Sequence, residues 1–247
     1  AMGGLSYGDT TLAGAHARWP GGRNTALEDV LTTGGDAVGH IPSRRWDAPV
    51  TAAAGSYGAF VADAQLFDSA FFGVSPAETH AMDPQQRLLL EFGYVAFHAI
   101  CDRRESLRAA DVGVFLGIMN ADFATLYMQS ESVYTATGGT ISIAAGRISF
   151  VLGTQGPCGS YDTACSSALV ALHGTASAMS AGECPTALLV AVSLMLSPKT
   201  HDVYARAGML STDGRCKTFD ARANGYARGE GVGAVVLRGR QLAVQGS

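Results

Sequence analysis

The chain has 247 residues, 47% of them hydrophobic and 15% charged, with 31 glycines and a formal net charge of −4. That length suffices to bury a core, and so few charges exclude a solvated, disordered polymer. No basic cluster exceeds the pairs Arg44-Arg45 and Arg103-Arg104, and no run of eighteen apolar residues occurs, so neither nucleic acid nor a membrane is an expected partner.

Residues 1–60 are rich in Gly, Ala, Thr and Pro. They predict a short strand near Leu12, a turn at Pro20-Gly21-Gly22, and a helix from Asn24 to Thr33 stopped by Gly34-Gly35. Asp83-Pro84-Gln85-Gln86 opens the clearest helix. Asp83 serves as N-cap, Pro84 sits where its missing N–H costs nothing, and Gln86 is placed to complete a capping box. Leu88, Leu89, Phe92, Val95, Ala96 and Ala99 then recur at helical spacing as far as Ile100. Val112–Ile118 is short, β-branched and aromatic, the pattern of a buried strand. Ile141, Ala144, Ala145, Ile148 and Leu152 share a helical period. A strand through Ser160-Tyr161-Asp162 leads to Cys165, a helix runs from Cys165 to about Ala181, and Gly182 ends it. Ala187–Leu194 and Gly233–Leu237 are further apolar strands. Strands alternating with helices, with no internal repeat, predict an α/β layered fold in one domain over 1–247.

The five cysteines (Cys101, Cys158, Cys165, Cys184, Cys216) contain no CxxC pair. Their odd number and wide spacing fit free thiols in a reducing, cytoplasmic compartment, without a metal site. The start of the chain lacks the layout of a secretory signal. Cys165 stands between a strand and a helix, where the positive end of the helix stabilises a thiolate and the small Ser166, Ser167 and Ala168 leave room for a bound carbonyl. By spacing alone, a small buried thiol is the favoured alternative, and the identity of the surrounding residues is what overturns it. Gly229-Glu230-Gly231-Val232-Gly233 is not a dinucleotide loop, because a strand rather than a helix follows it. Asp162 orients the turn before Cys165.

The stretch Asp162-Thr163-Ala164-Cys165-Ser166-Ser167-Ala168-Leu169-Val170-Ala171-Leu172-His173 resembles the active-site signature of polyketide synthase-type β-ketoacyl synthases. Met82-Asp83-Pro84-Gln85-Gln86-Arg87-Leu88-Leu89-Leu90-Glu91 is similar to that family's helix signature. Asp213-Gly214-Arg215-Cys216-Lys217-Thr218-Phe219-Asp220, with Gly229-Glu230-Gly231, resembles its glycine-rich segment, and Arg18-Trp19-Pro20-Gly21-Gly22 its Arg-Phe-Pro-Gly-Gly. These matches occur in family order across residues 17–237. The resemblance implies a thiolase-like fold of α-β-α-β-α layers, represented here mainly by its amino-terminal half, and a homodimer. It also implies that Cys165 is the nucleophile that accepts an acyl chain from the phosphopantetheine of acyl carrier protein. Decarboxylative Claisen condensation with a malonyl-type extender follows, with no cofactor bound by this region.

Several departures from the family matter. Its two histidine motifs, His-Gly-Thr-Gly-Thr and Asn-Ile-Gly-His, do not occur in the sequence. The chain is therefore expected to be incomplete for condensation, with Gly246-Ser247 near the point where the family enters its second half. His173 lies eight residues beyond Cys165, about 12 Å along a helix, so it does not reach the thiol. His16, His40, His80, His98 and His201 stand in contexts that mark none of them as a base. Ala168 replaces a usual serine, Tyr161 stands where a small β-branched residue is typical, beside the strand expected to face a dimer partner, and the first strand reads as abbreviated. The alternatives are a non-catalytic dimerisation or carrier-docking half-domain, which the retained Cys165 argues against, and a different cysteine enzyme, which lacks a histidine base.

Overall fold

The computed structural model describes residues 10–21, 31–46, 53–100, 104–119, 121–127 and 132–239. Strand β1 (Thr10–Arg18) precedes a two-stranded ribbon of β2 (Gly39–His40) and β3 (Tyr57–Gly58). Helices α1 (Ser69–Phe72), α2 (Pro76–Ala81), α3 (Pro84–His98) and α4 (Arg104–Leu107) follow, then strand β4 (Val112–Ile118). Helices α5 (Asp122–Tyr127), α6 (Thr135–Gly138) and α7 (Ile141–Leu152) lead to strand β5 (Cys158–Tyr161) and helix α8 (Ser167–Ser180). Strand β6 (Thr186–Ser193), helix α9 (Pro198–Arg206) and strand β7 (Gly231–Gly239) complete the order. The helix expected from Asn24 to Thr33 falls mainly outside the described residues.

Five strands form one mixed sheet in the order β1-β7-β6-β4-β5. β4 runs parallel to both β5 and β6, whereas β7 is antiparallel to β6 and to β1. Successive side chains of a strand alternate between the two faces, and this alternation divides the core. Val112, Val114, Leu116 and Ile118 of β4, with Leu188, Val190 and Val192 of β6, join the buried residues of α3 and α7 in the larger cluster. Phe115 and Ala187 project to the other side, where Ala171 and Ala178 of α8 meet them. The described residues thus form helix, sheet and helix layers, with α3 and α7 on one face and α8 on the other. Each fully buried Leu or Phe in these layers contributes about 1.5–3 kcal/mol.

The helix signature owes its residues to packing. The Asp83 carboxylate accepts the Gln85 amide at 2.7 Å and caps α3 as expected. Gln86 does not complete a capping box: its amide donates to the carbonyls of Thr137 and Thr140, tying α3 to the α6–α7 junction. The Asp83 N–H instead donates to Gly138 O. Gln85 reaches farther, accepting the Leu194 amide at 3.1 Å just beyond β6. Strand β1 is also longer than expected. It extends over nine residues with a register shift between Leu12 and Gly14, because its pairing with β7 supplies the order that its modest hydrophobicity does not.

Candidate active site

Helix α8 approaches the sheet closely because both surfaces are small. Its buried face consists of Ser167, Ala171, Thr175 and Ala178. Opposite its first turn lies Gly117 of β4, where a Cβ would stand 2.6 Å from the Ala168 nitrogen and 2.8 Å from the Ser167 carbonyl carbon. Nothing larger than glycine fits there without moving the helix. Farther along, Gly174 accommodates Tyr161: a Cβ on Gly174 would lie 2.7 Å from the Tyr161 hydroxyl. The large residue at 161 is thus absorbed by a missing side chain on α8.

Cys165 does not begin the α-helix. It occupies a 3-10 turn over Ala164–Ser166, immediately before α8, and its side chain is exposed. Ala164 has a φ of 58°, in the left-handed region that costs a non-glycine residue roughly 1–2 kcal/mol. Hydrogen bonds surround this bend. Asp162 Oδ1 accepts the Ala164 amide at 3.1 Å, the orienting role expected of it. Ser167 Oγ accepts the Thr163 amide at 2.9 Å and donates to the Ala164 carbonyl at 2.6 Å. Ser166 Oγ donates to the Thr163 carbonyl at 2.8 Å and lies 2.9 Å from Thr163 Oγ1. The thiol is therefore displayed to solvent on a bent, well-tied turn, at the positive end of a fourteen-residue helix.

The glycine-rich segment forms a neighbouring loop. Ser211 Oγ bonds to Asp213 and Asn224, and the Lys217 ammonium donates to the same two side chains, at 2.8 and 3.0 Å. This loop brings Tyr226 near the cysteine. The Tyr226 phenol is pushed above its ordinary value chiefly by burial, with smaller contributions from Tyr204 and Cys165 against an opposing one from Arg228. Beneath it, Arg228 lies over the Tyr204 ring at 4.9 Å, with Nη1 3.4 Å from His201 Nδ1. Burial, assisted by Arg228, lowers His201 to about 4, so its imidazole is neutral near pH 7. His173 is exposed on α8 and His201 is 0% exposed. Neither histidine hydrogen-bonds to Cys165 among the described residues. Among the described residues, no group of three or more His, Cys, Asp and Glu is arranged to hold a metal, and no helix is long and apolar enough to cross a membrane.

Glu230, from the Gly-Glu-Gly stretch, fixes the approach to β7. Its carboxylate accepts the amides of Val61 and Met195 at 3.0 and 2.9 Å and pairs with Arg45 at 2.7 Å. Burial raises this acid, and Arg45 opposes the shift. Asp122 plays a similar part before α9, accepting from the amides of Leu196 and Ser197 and from the Thr200 hydroxyl.

Residues 11–243 match the β-ketoacyl synthase, N-terminal domain, sequence family. The chain belongs to the β-ketoacyl synthase family. It is 44% identical over 239 residues to the phenolphthiocerol synthesis type I polyketide synthase of Mycobacterium bovis, covering 92% of this chain and 11% of that protein. It is 38% identical to erythronolide synthase of Saccharopolyspora erythraea, covering 92% of this chain and 8% of that one. The ketosynthase from module 6 of the bacillaene synthase of Bacillus subtilis superposes with a TM-score of 0.83 at 38% identity, over 93% of this chain and 40% of that chain. An oxazolomycin ketosynthase domain of Streptomyces albus gives 0.83 at 31% identity, over 96% of this chain and 44% of that one. The thiolase-like fold expected from the sequence is therefore the fold of this chain, which spans the amino-terminal part of a polyketide ketosynthase domain. Tyr226, the Ser167 hydroxyl and the Arg228–His201 pair escape the sequence reading. Only the two serines following Cys165 offered a signal.

Proposed function

We propose that Cys165 is the acyl-accepting nucleophile of a polyketide ketosynthase. Its thiolate attacks the carbonyl carbon of an acyl thioester held on the phosphopantetheine of acyl carrier protein. A new C–S bond forms at Cys165, and the phosphopantetheine sulfur leaves and takes up a proton. A malonyl-type extender then loses CO2, and its carbanion attacks the bound acyl carbon. The new C–C bond releases Cys165 as thiolate. The single observation behind this reading is an exposed thiol on a strained turn, at the amino end of a long helix, within a matching ketosynthase signature. An oxyanion donor from the Cys165 backbone N–H belongs to the same proposal.

Condensation is assigned to the chain only when further residues supply the two histidines, since neither histidine motif occurs in the sequence. Homodimerisation is proposed through β5. This strand ends the sheet order, and an edge strand offers backbone donors and acceptors to a second copy. The cytoplasmic setting is supported by four free cysteines among the described residues.

Intact mass after incubation with a short acyl thioester tests the loading step. One acyl adduct on the unaltered chain, absent from Cys165→Ala, is the expected result. Adducts that persist in Cys165→Ala refute the assignment, and malonyl-thioester decarboxylation by the chain alone refutes its incompleteness.

A further inference from the structure

Deepening the reading of Cys165 as nucleophile, and resting on it, we infer that the hydroxyl of Ser167, whose backbone packs against Gly117, is the positioning group that holds Cys165 in its reactive presentation. Ser167 is 5% exposed, although serine at the start of a helix ordinarily faces water. Its Oγ uses both hydrogen-bonding capacities across the nucleophile: it accepts the Thr163 amide from one side of Ala164 and donates to the Ala164 carbonyl. The Ser167 backbone N–H is directed at the same carbonyl. These bonds close a ring around the residue with φ 58°, the conformation that turns the chain outward immediately before Cys165. A left-handed alanine persists only where its surroundings over-determine it.

Gly117 makes the clamp possible. With no Cβ, it lets the Ser167 carbonyl carbon and the Ala168 backbone approach β4 to distances that any side chain would forbid. The buried hydroxyl is thereby shielded from water, which would otherwise compete for the Thr163 amide and the Ala164 carbonyl. Ser167 touches no reacting atom. Its effect reaches the chemistry through the direction of the Cys165 side chain, and misplacement by about 1 Å can cost on the order of a hundredfold in rate.

The test measures second-order acylation of Cys165 by a short acyl thioester, and its alkylation by iodoacetamide, in the full chain, with mass spectrometry assigning the adduct. Ser167→Ala is expected to slow acylation on the order of tenfold to a hundredfold, with alkylation by the small, less demanding reagent changed by less than about threefold. Ser167→Thr keeps the hydroxyl and is expected to restore acylation. Val190→Ala, a core truncation on the opposite face of the sheet, controls for lost stability, because it should lower the melting temperature without selectively slowing acylation. Unchanged acylation in Ser167→Ala, or equal slowing in Val190→Ala, overturns the inference. No recovery in folded Ser167→Thr does the same. Should Ser167→Ala fail to fold, Ser166→Ala, at a half-buried position, carries the test, since its hydroxyl ties the same turn to Thr163. About fivefold slowing is then expected, and an unchanged rate overturns the clamp. Absence of any Cys165 acylation in the unaltered chain, with normal alkylation, refutes the nucleophile assignment itself and so separates the two failures.

Discussion

Asp83 and His201 pull the pH dependence of stability in opposite directions over nearly the same interval. Asp83 is 2% exposed, and burial raises its carboxyl from 3.8 to about 6 against the hydrogen bonds from Gln85 and the charge of Arg87. The folded chain holds this proton more tightly than the unfolded chain. The stabilisation is complete below the unfolded value and is lost as pH rises through about 6, a change on the order of 3 kcal/mol. For His201, burial and then Arg228 lower the imidazole from 6.5 to about 4. Its contribution is complete above 6.5 and disappears as pH falls through 4, with a similar magnitude of roughly 3 kcal/mol. The two slopes largely cancel between pH 4 and 6. Asp83→Asn keeps an acceptor for the Gln85 amide but removes the titration, leaving a stability that climbs with pH. Glu91 and Glu230, also raised chiefly by burial, are common to both proteins and drop out of the comparison. Urea unfolding followed by circular dichroism from pH 4 to 8 provides the assay. The stability of Asp83→Asn relative to the unaltered chain should increase by about 2 kcal/mol between pH 4 and 7, most of the full change. Parallel pH curves for the two proteins, within about 1 kcal/mol, would refute the reasoning.

Two further substitutions probe the packing around the site. Gly174→Ala gains about 1 kcal/mol in helix propensity, yet its new methyl meets the Tyr161 hydroxyl and ring, so a net loss of about 1–2 kcal/mol is expected. Tyr161→Phe in the same background should recover part of that loss, and a double-mutant cycle in denaturant reads the coupling. Glu230→Ala removes the carboxylate partner of Arg45 and leaves the amides of Val61 and Met195 without their acceptor. A loss of about 3–5 kcal/mol should appear as a lower urea midpoint.

Strand β4 is legible to the residue because both its faces are buried and its apolar run is continuous. Helix α7 is equally legible, since Ala144, Ala145, Ile148 and Leu152 lie on its buried face. Local pattern fails where partners are remote. The length of β1 depends on pairing with residues more than 200 positions away, and the role of Gln86 depends on carbonyls about 50 positions away. The burial of His201 likewise follows from Trp46 and Arg228, which arrive from distant segments. At the candidate site, residue identity around Cys165 pointed to the chemistry. The left-handed Ala164 is tied by bonds from Asp162 and Ser167, and the close seating of the Ser167–Ala168 backbone on Gly117 of β4 is a tertiary contact that local spacing does not encode.

The pairing of Thr10 with Gly239 and of Arg18 with Val232 sets an order of assembly. Strand β1 leaves the ribosome more than 200 residues ahead of β7, the neighbour it pairs with. At roughly 5–20 residues per second, that delay is on the order of tens of seconds. Meanwhile β4, β5 and β6, together with α3, α7 and α8, have the contacts needed to collapse, while β1 trails as an unsatisfied ribbon. The place it must later fill, where Gly14 lies against Ala96 and Ile100 of the α3 region, stays open throughout. Closing so large a loop makes this docking a late, non-local event. A strand synthesised well ahead of its partner therefore docks late, and a chaperone or a slower passage of the ribosome would act on this strand.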